Sequence, residues 1–183
     1  ALDEITAQDD IKLIVIGDNP GKNEQLEINR KYLVGQSGKI AEGFFKKNPI
    51  LKTDFRKNVI ILNKTPIHTA KTKELLFLAN QNEKLKNLLT ESQIWMAKKT
   101  VELHIALDCK MWLVGYAEVK EKGIFKEYRN TLFSEYQKSQ DAKNAYQKFF
   151  VFQHFSMNRF LIDLNEFSEN YPQPLSEENL ETR

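Results

Sequence analysis

The chain has 183 residues, of which 41% are hydrophobic and 28% charged, and its net charge is +2. This composition fits one domain, expected over residues 1–170, with a polar, flexible tail over residues 171–183. The single cysteine, Cys109, excludes an internal disulfide and a cysteine-ligated iron–sulfur cluster or structural zinc site. No apolar run approaches the roughly 20 residues of a membrane span, so we expect a soluble, cytoplasmic protein without membrane contact.

Short apolar runs alternate with longer segments of helical spacing along the chain. The runs, each the length of a strand, cover residues 12–17, 58–63, 111–116 and 149–154, and the helical segments cover 38–47, 83–107, 122–136 and 158–167. Nearly continuous apolarity is typical of strands that are covered on both faces. The order of the elements predicts an α/β fold, a three-layer α/β/α sandwich around a mainly parallel four-stranded sheet.

Polar residues stand at the ends of three predicted strands. Asp18 and Asn19 follow the first strand, Asn63 ends the second, and His154 and Ser156 stand at the end of the fourth. Parallel strands direct their carboxyl ends to one edge of the sheet, where open α/β folds bind ligands. We therefore expect these side chains to converge on a single cleft.

The residues around the first turn exclude one common motif and disfavour another. The segment from Gly17 to Lys22 lacks one residue between its glycines for a phosphate-binding loop, and Asn23 replaces the required Ser or Thr. Asn19 stands where a Gly-Asp-Ser esterase would carry its nucleophilic serine, which disfavours acyl transfer.

The same motifs resemble those of the uracil-DNA glycosylase superfamily over roughly residues 11–165. The sequence GDNPG at residues 17–21, with Glu24 and YLVGQSG at 32–38, is similar to the G-E-[AG]-P-G pattern of the prokaryotic iron–sulfur type. Asn19 is instead like the G-[IM]-N-P-G of the mismatch-specific and single-strand-selective branches. The segment NKTP at 63–66 is similar to Asn-x-x-Pro, and HFS at 154–156 resembles the family's H-P-S, with Phe155 in place of proline.

The resemblance implies a monofunctional DNA glycosylase that removes uracil, or a related deaminated base, and leaves an abasic site. Asn19 would orient water toward C1′ of the sugar, with Asp18 as the alternative, and His154 would donate a hydrogen bond to uracil O2. The amide of Asn63 would pair with uracil N3–H and O4, and Tyr32 would stack on the base.

The resemblance also implies contacts to the DNA backbone and a set of partners. The backbone contacts are expected at Gly21, Gly35, Ser37, Ser156, Met157 and Asn158. Met157 and Asn158 stand where relatives insert a wedge into the duplex. We expect a monomer that binds DNA containing uracil or another deaminated base and uses no cofactor, metal or metal cluster.

The alternative hypothesis is a catalytically inactive relative that retains the fold as a nucleic-acid-binding or phosphate-binding module. In that case Asn19 caps a turn, Asn63 forms a strand-end turn, and His154 and Tyr32 belong to the core. The sequence leaves open whether uracil, hypoxanthine, xanthine or mispaired thymine is preferred, and whether the substrate is single- or double-stranded.

Overall fold

A parallel sheet forms the centre of the computed structural model, which describes residues 5–6, 8–29, 31–156 and 162. Within these residues the strands are β1 (Leu13–Gly17), β2 (Val59–Asn63), β3 (Lys110–Val114) and β4 (Phe149–Phe152), in the order β2-β1-β3-β4. All three neighbouring pairs are parallel. The predicted α/β class and four-stranded parallel sheet are therefore confirmed.

Both faces of the sheet are covered because alternate side chains of each strand enter different apolar clusters. In β1, Ile14 and Ile16 enter one cluster, and Leu13 and Val15 enter the other, which also contains Trp112 of β3. The five residues of β1 are all buried. Such two-sided burial explains why the strand is apolar throughout rather than alternating.

The helices pack on these two faces. They are α1 (Gln36–Lys47), α2 (Lys73–Gln81), α3 (Glu83–Leu107), α4 (Lys126–Tyr136) and α5 (Gln140–Tyr146), with short 3₁₀ helices at Lys22–Gln25, Pro49–Leu51 and Tyr116–Val119. Phe44 and Phe45 of α1 pack edge-on and stacked against Trp112, whereas α3 and α4 cover the opposite face with Val101 and Leu132. None of the helices in the described residues is both long and apolar enough to cross a membrane.

The observed boundaries match one of the predicted helices and differ from other predicted elements. The helix α3 has the predicted bounds because the Asn82 side chain accepts a hydrogen bond from Leu85 N (2.8 Å) at its start and Asp108 turns left-handed at its end. The third strand ends at Val114 rather than at residue 116 because Gly115 has a φ of +91°. The predicted helix over 158–167 and the tail over 171–183 lie outside the described residues, apart from residue 162, which is helical.

His104 is a buried titratable group of the core. Its Nε2 donates to the Cys109 carbonyl (2.9 Å), and Nδ1 lies 2.6 Å from the Tyr136 hydroxyl. Burial is the main cause that lowers the pKa of His104 from its ordinary value of 6.5. His104 therefore binds a proton less readily in the folded protein than in the unfolded chain.

We expect the free energy of unfolding to decrease as the pH falls below about 6.5, because the unfolded state then binds more protons than the folded state. Urea denaturation across this range should give a shallower pH dependence for His104→Gln than for the wild-type protein, since glutamine does not titrate. Equal pH dependence in the two proteins would contradict this role of His104.

Candidate functional site

The carboxyl ends of the four strands meet at one edge of the sheet. Gly17 pairs in register with Asn63, so closely that a Cβ on Gly17 would lie 2.8 Å from Asn63 Oδ1. On the other side, Gly115 N donates to the Phe152 carbonyl (3.0 Å), which joins the ends of β3 and β4. The structure thus brings together the loops that carry the predicted polar residues.

Lys64 is fully buried at this edge and ties three strand ends together. Its Nζ donates to the carbonyls of Gly17 (3.2 Å) and Val114 (2.6 Å) and forms an ion pair with Asp18 Oδ1 (2.6 Å). The ammonium also lies 5.3 Å from the ring centroid of Phe125. The sequence alone does not reveal the role of Lys64, because lysine is rarely buried unless it is paired and its partners lie far away in the chain.

The Asp18 side chain is held between the buried Lys64 and Gly115. Burial lowers the pKa of Lys64, whereas the nearby carboxylates of Asp18 and Glu118 oppose this shift. A Cβ on Gly115 would lie 2.5 Å from Asp18 Oδ1, and the left-handed φ of Gly115 also requires glycine. The Asp18 side chain remains 12% exposed between these two neighbours.

His154 follows β4 and has its ring orientation set by Ser156. The Ser156 backbone N–H donates to His154 Nδ1 (3.1 Å), and the Ser156 hydroxyl oxygen lies 2.8 Å from the same nitrogen. Because Nδ1 is an acceptor, the neutral ring carries its proton on Nε2. No residue in the described part of the chain forms a hydrogen bond with Nε2.

His154 follows β4 at the same edge of the sheet as the ion pair between Lys64 and Asp18. Burial is the main cause that lowers the pKa of His154; Asp18 opposes this shift, and Lys64 adds to it. Phe155, which replaces the proline of the motif, is fully buried in the apolar cluster that contains Trp112. Packing of this ring therefore anchors the loop between His154 and Ser156.

Asn63 carries an unsatisfied donor. The residue is only 4% exposed. Within the described residues, its Nδ2 is the one buried side-chain nitrogen or oxygen that has no hydrogen-bond partner. Because an unmade bond of this kind costs about 1–3 kcal/mol, such groups in folded proteins call for an explanation, and a ligand that accepts the bond is one.

Both ends of the Asn19 carboxamide already have hydrogen-bond partners. Its Nδ2 donates to Thr69 Oγ1 (2.9 Å), and its Oδ1 accepts from Thr72 Oγ1 (3.0 Å). His68 Nδ1 lies 2.8 Å from the Pro20 carbonyl and joins the same two loops. In this arrangement Asn19 ties the loop after β1 to the loop after β2, and the role predicted for it in orienting water stays a prediction.

Tyr32 lies in the connection between β1 and α1, with its ring partly exposed. Arg56 fixes this corner through bonds to the carbonyls of Tyr32 (3.1 Å) and Leu33 (2.8 Å). Burial, followed by the charge of Glu24, raises the pKa of Tyr32. None of the described ring contacts joins Tyr32 to the other predicted site residues, so its stacking role stays a prediction.

The residues expected along the DNA backbone are only partly described. Gly21 N donates to Glu24 Oε2 (3.2 Å), so this N–H already has a partner. Gly35 precedes the first turn of α1, and Ser37 lies within that turn. Ser156 contacts His154, whereas Met157 and Asn158 lie outside the described residues.

A cavity of about 390 Å³ lies at the opposite edge of the sheet, near the amino ends of β1 and β3. Its walls include Leu13, Phe45 and Trp112, and its rim includes Lys12 and Lys148. Both lysines already have partners, since Lys12 donates to the Lys52 carbonyl (2.7 Å) and Lys148 pairs with Asp108 (2.6 Å). Within the described residues, the buried side-chain donor that lacks a partner, Asn63 Nδ2, lies at the other edge.

Comparison with known proteins adds no relative. No protein-family model, no curated protein and no solved structure matches this chain. In the described ranges, no group of three or more His, Cys, Asp or Glu side chains is arranged to hold a metal ion. The geometry of Asp18, Asn63, Lys64 and His154 is therefore the basis on which a function is proposed.

Proposed function

We propose that this protein is a monofunctional DNA glycosylase that hydrolyses the bond between uracil, or a related deaminated base, and deoxyribose. The observation that carries the proposal is the buried, unpartnered Nδ2 of Asn63. This donor lies at the same sheet edge as the Asp18 carboxylate and the loop that carries His154. The three residues come from distant parts of the chain and supply the donors and the negative charge that this reaction needs.

Asn63 reads the base. A carboxamide presents a donor and an acceptor in one plane, so Nδ2 can donate to uracil O4 while Oδ1 accepts from N3–H. Cytosine presents the opposite pattern at these two positions and is rejected. Such reading requires the nucleotide to leave its stack and enter the site.

His154 stabilises the departing base. When the bond between C1′ and uracil N1 breaks, the electron pair leaves with the base, and negative charge develops on O2. The Nε2–H of a neutral imidazole donates to this oxygen, and a preorganised donor of this kind is worth about 10²- to 10³-fold in rate. Ser156 holds the ring in the required tautomer through Nδ1.

Asp18 acts on the sugar side of the bond. Its carboxylate stabilises the positive charge that develops on the sugar and orients a water molecule toward C1′. The water oxygen bonds to C1′, and its proton passes through the carboxylate to solvent. Lys64 holds this carboxylate in place, and Asn19 holds the loop that carries it.

Release of the base from defined oligonucleotides tests the proposal. Purified protein is incubated with single-stranded and duplex oligonucleotides that contain one uracil, and matched strands contain thymine or cytosine instead. We expect free uracil, detected by chromatography, and strand breaks only after treatment with alkali. Failure to release uracil from either form of DNA, and to release hypoxanthine, xanthine or mispaired thymine from strands that carry those bases instead, would contradict the proposal.

Replacement of Asn63 by alanine is expected to lower kcat/KM for uracil release by about 10²-fold or more, because the site loses both bonds to the base edge. The fold should persist, since Nδ2 has no partner within the described residues. Asn87→Ala, an exposed position on α3, is the matched control. Full activity of Asn63→Ala, with circular dichroism unchanged, would remove Asn63 from the site.

A second candidate function is a module that binds nucleic acid or phosphate without catalysis. One observation favours it, namely that both ends of the Asn19 carboxamide are engaged by Thr69 and Thr72. Binding of uracil-containing oligonucleotides without release of any base would support this candidate over the glycosylase.

A further inference from the structure

Tyr116 is an exposed aromatic residue at the edge of the site. It is 45% exposed and directly follows Gly115, whose Cα packs against the Asp18 carboxylate. The Lys120 ammonium lies 4.4 Å from the centroid of the Tyr116 ring. The apolar run over residues 111–116 predicts Tyr116 at the end of the third strand. The left-handed turn at Gly115 instead places it in the loop beyond that strand, at the start of a 3₁₀ helix.

The loop that carries Tyr116 is held firmly. Gly115 N donates to the Phe152 carbonyl (3.0 Å), and Glu118 N donates back to the Gly115 carbonyl (3.2 Å). Val119 is buried, and Phe125 N donates to the Glu118 carbonyl (2.9 Å). An aromatic ring on such a loop is preorganised and requires little ordering when a ligand stacks on it.

The cations of the segment that follows Tyr116 are not equivalent. Glu121 is paired with Lys126 and with Arg129 (2.8 Å), and the hydrogen bonds from these two side chains lower the pKa of Glu121 to about 2. Lys120 has no ion pair within the described residues. Its ammonium lies beside the Tyr116 ring and remains available to a phosphate.

We infer that Tyr116 and Lys120 form a subsite for the nucleotide next to the target base, with the ring stacked on that base and the ammonium bound to its phosphate. This inference rests on the proposed function, because it names the part of the DNA that lies beside Asp18. Base–aromatic stacking with a nearby cation is the usual mode of binding single strands. The neighbouring base must be free of its own stack, so we expect single-stranded DNA to be preferred.

The test uses labelled single-stranded oligonucleotides with one central 2′-fluoro-2′-deoxyuridine, which resists hydrolysis because fluorine destabilises the sugar cation. In a series of strands, an abasic spacer replaces each nucleotide around the target in turn, and affinity is measured by fluorescence anisotropy. For the wild-type protein, we expect a spacer at one flanking position to weaken binding roughly 5- to 150-fold, the loss of one stack. Tyr116→Ala should bind more weakly and be insensitive to the spacer at that position.

Further variants test the contributions of the Tyr116 ring and of the Lys120 charge separately. Tyr116→Phe should retain the wild-type sensitivity to the spacer, because the ring remains. Lys120→Gln should reduce the slope of log affinity against log salt by about 0.7, the value for one phosphate contact on a single strand. Phe77→Ala, at a position on α2 that is 65% exposed, is the control and should match the wild-type protein.

Two results would overturn the subsite. In one, Tyr116→Ala remains as sensitive to the spacers as the wild-type protein, and in the other, Phe77→Ala loses as much affinity as Tyr116→Ala. Uracil release from ordinary uracil strands is measured separately and reports on the proposed function. Release without dependence of binding on Tyr116 overturns the subsite alone, and ring-dependent binding without release overturns the glycosylase alone.

Discussion

His154→Ala is expected to lower the rate of uracil release by about 10²- to 10³-fold, because the variant loses the donor to uracil O2. Single-turnover measurements at saturating protein isolate the chemical step from binding. The fold should persist, since the described hydrogen bonds of the His154 ring are made with its neighbour Ser156. An unchanged single-turnover rate would remove His154 from the reaction.

Ser156→Ala is the graded control for this result. The variant loses the hydroxyl group 2.8 Å from His154 Nδ1 but keeps the backbone N–H that donates to the same atom. We therefore expect a smaller loss of rate than for His154→Ala.

Burial lowers the pKa of His154 below its ordinary value of 6.5. The rate of uracil release by the wild-type protein should therefore remain steady as the pH falls through that value.

Lys64→Met is expected to destabilise the protein by about 3–5 kcal/mol, because it leaves the largely buried carboxylate of Asp18 without its partner. Two carbonyl groups, those of Gly17 and Val114, lose a donor as well. Urea denaturation, read by circular dichroism, measures the change in the free energy of unfolding. Stability equal to that of the wild-type protein would show that the buried pair is not formed in solution.

The double variant Lys64→Met/Asp18→Asn separates charge from packing. Because asparagine has no charge to leave unpaired, this protein should recover much of the lost stability while remaining inactive. Lys46→Met is the matched control, since Lys46 pairs with Glu42 on the exposed surface of α1. Its stability should equal that of the wild-type protein within the error of the measurement.

The fold could be predicted from the sequence because two-sided burial leaves a clear pattern. A strand such as Leu13–Gly17, covered on both faces, must be apolar throughout, and such runs are short and easily recognised. The helix Glu83–Leu107 was predicted with its observed bounds, whereas Gln140–Tyr146 was missed because its seven residues are too few for a clear periodicity. The end of β3 was missed because a glycine inside an apolar run does not reveal its left-handed backbone.

The site was only partly predictable, for a different reason. Asp18, Asn63 and His154 could be placed at one edge because their positions follow directly from the strands. Lys64 was not identified, since its burial depends on Asp18 and Val114, which are 46 and 50 residues away in the chain. The partners of Asn19 lie at similar distances along the chain, and no local pattern indicates them.

The ammonium of Lys64, which joins three strand ends, limits the substitutions that the chain can accept during evolution. A substitution that removes the acid at position 18 leaves a buried amine without a counterion, and the reverse substitution leaves an unneutralised acid. Positions 18 and 64 are therefore expected to covary among descendants of this chain, as a charged pair or as a neutral pair. A lineage that abandons the chemistry should thus lose the lysine along with the aspartate.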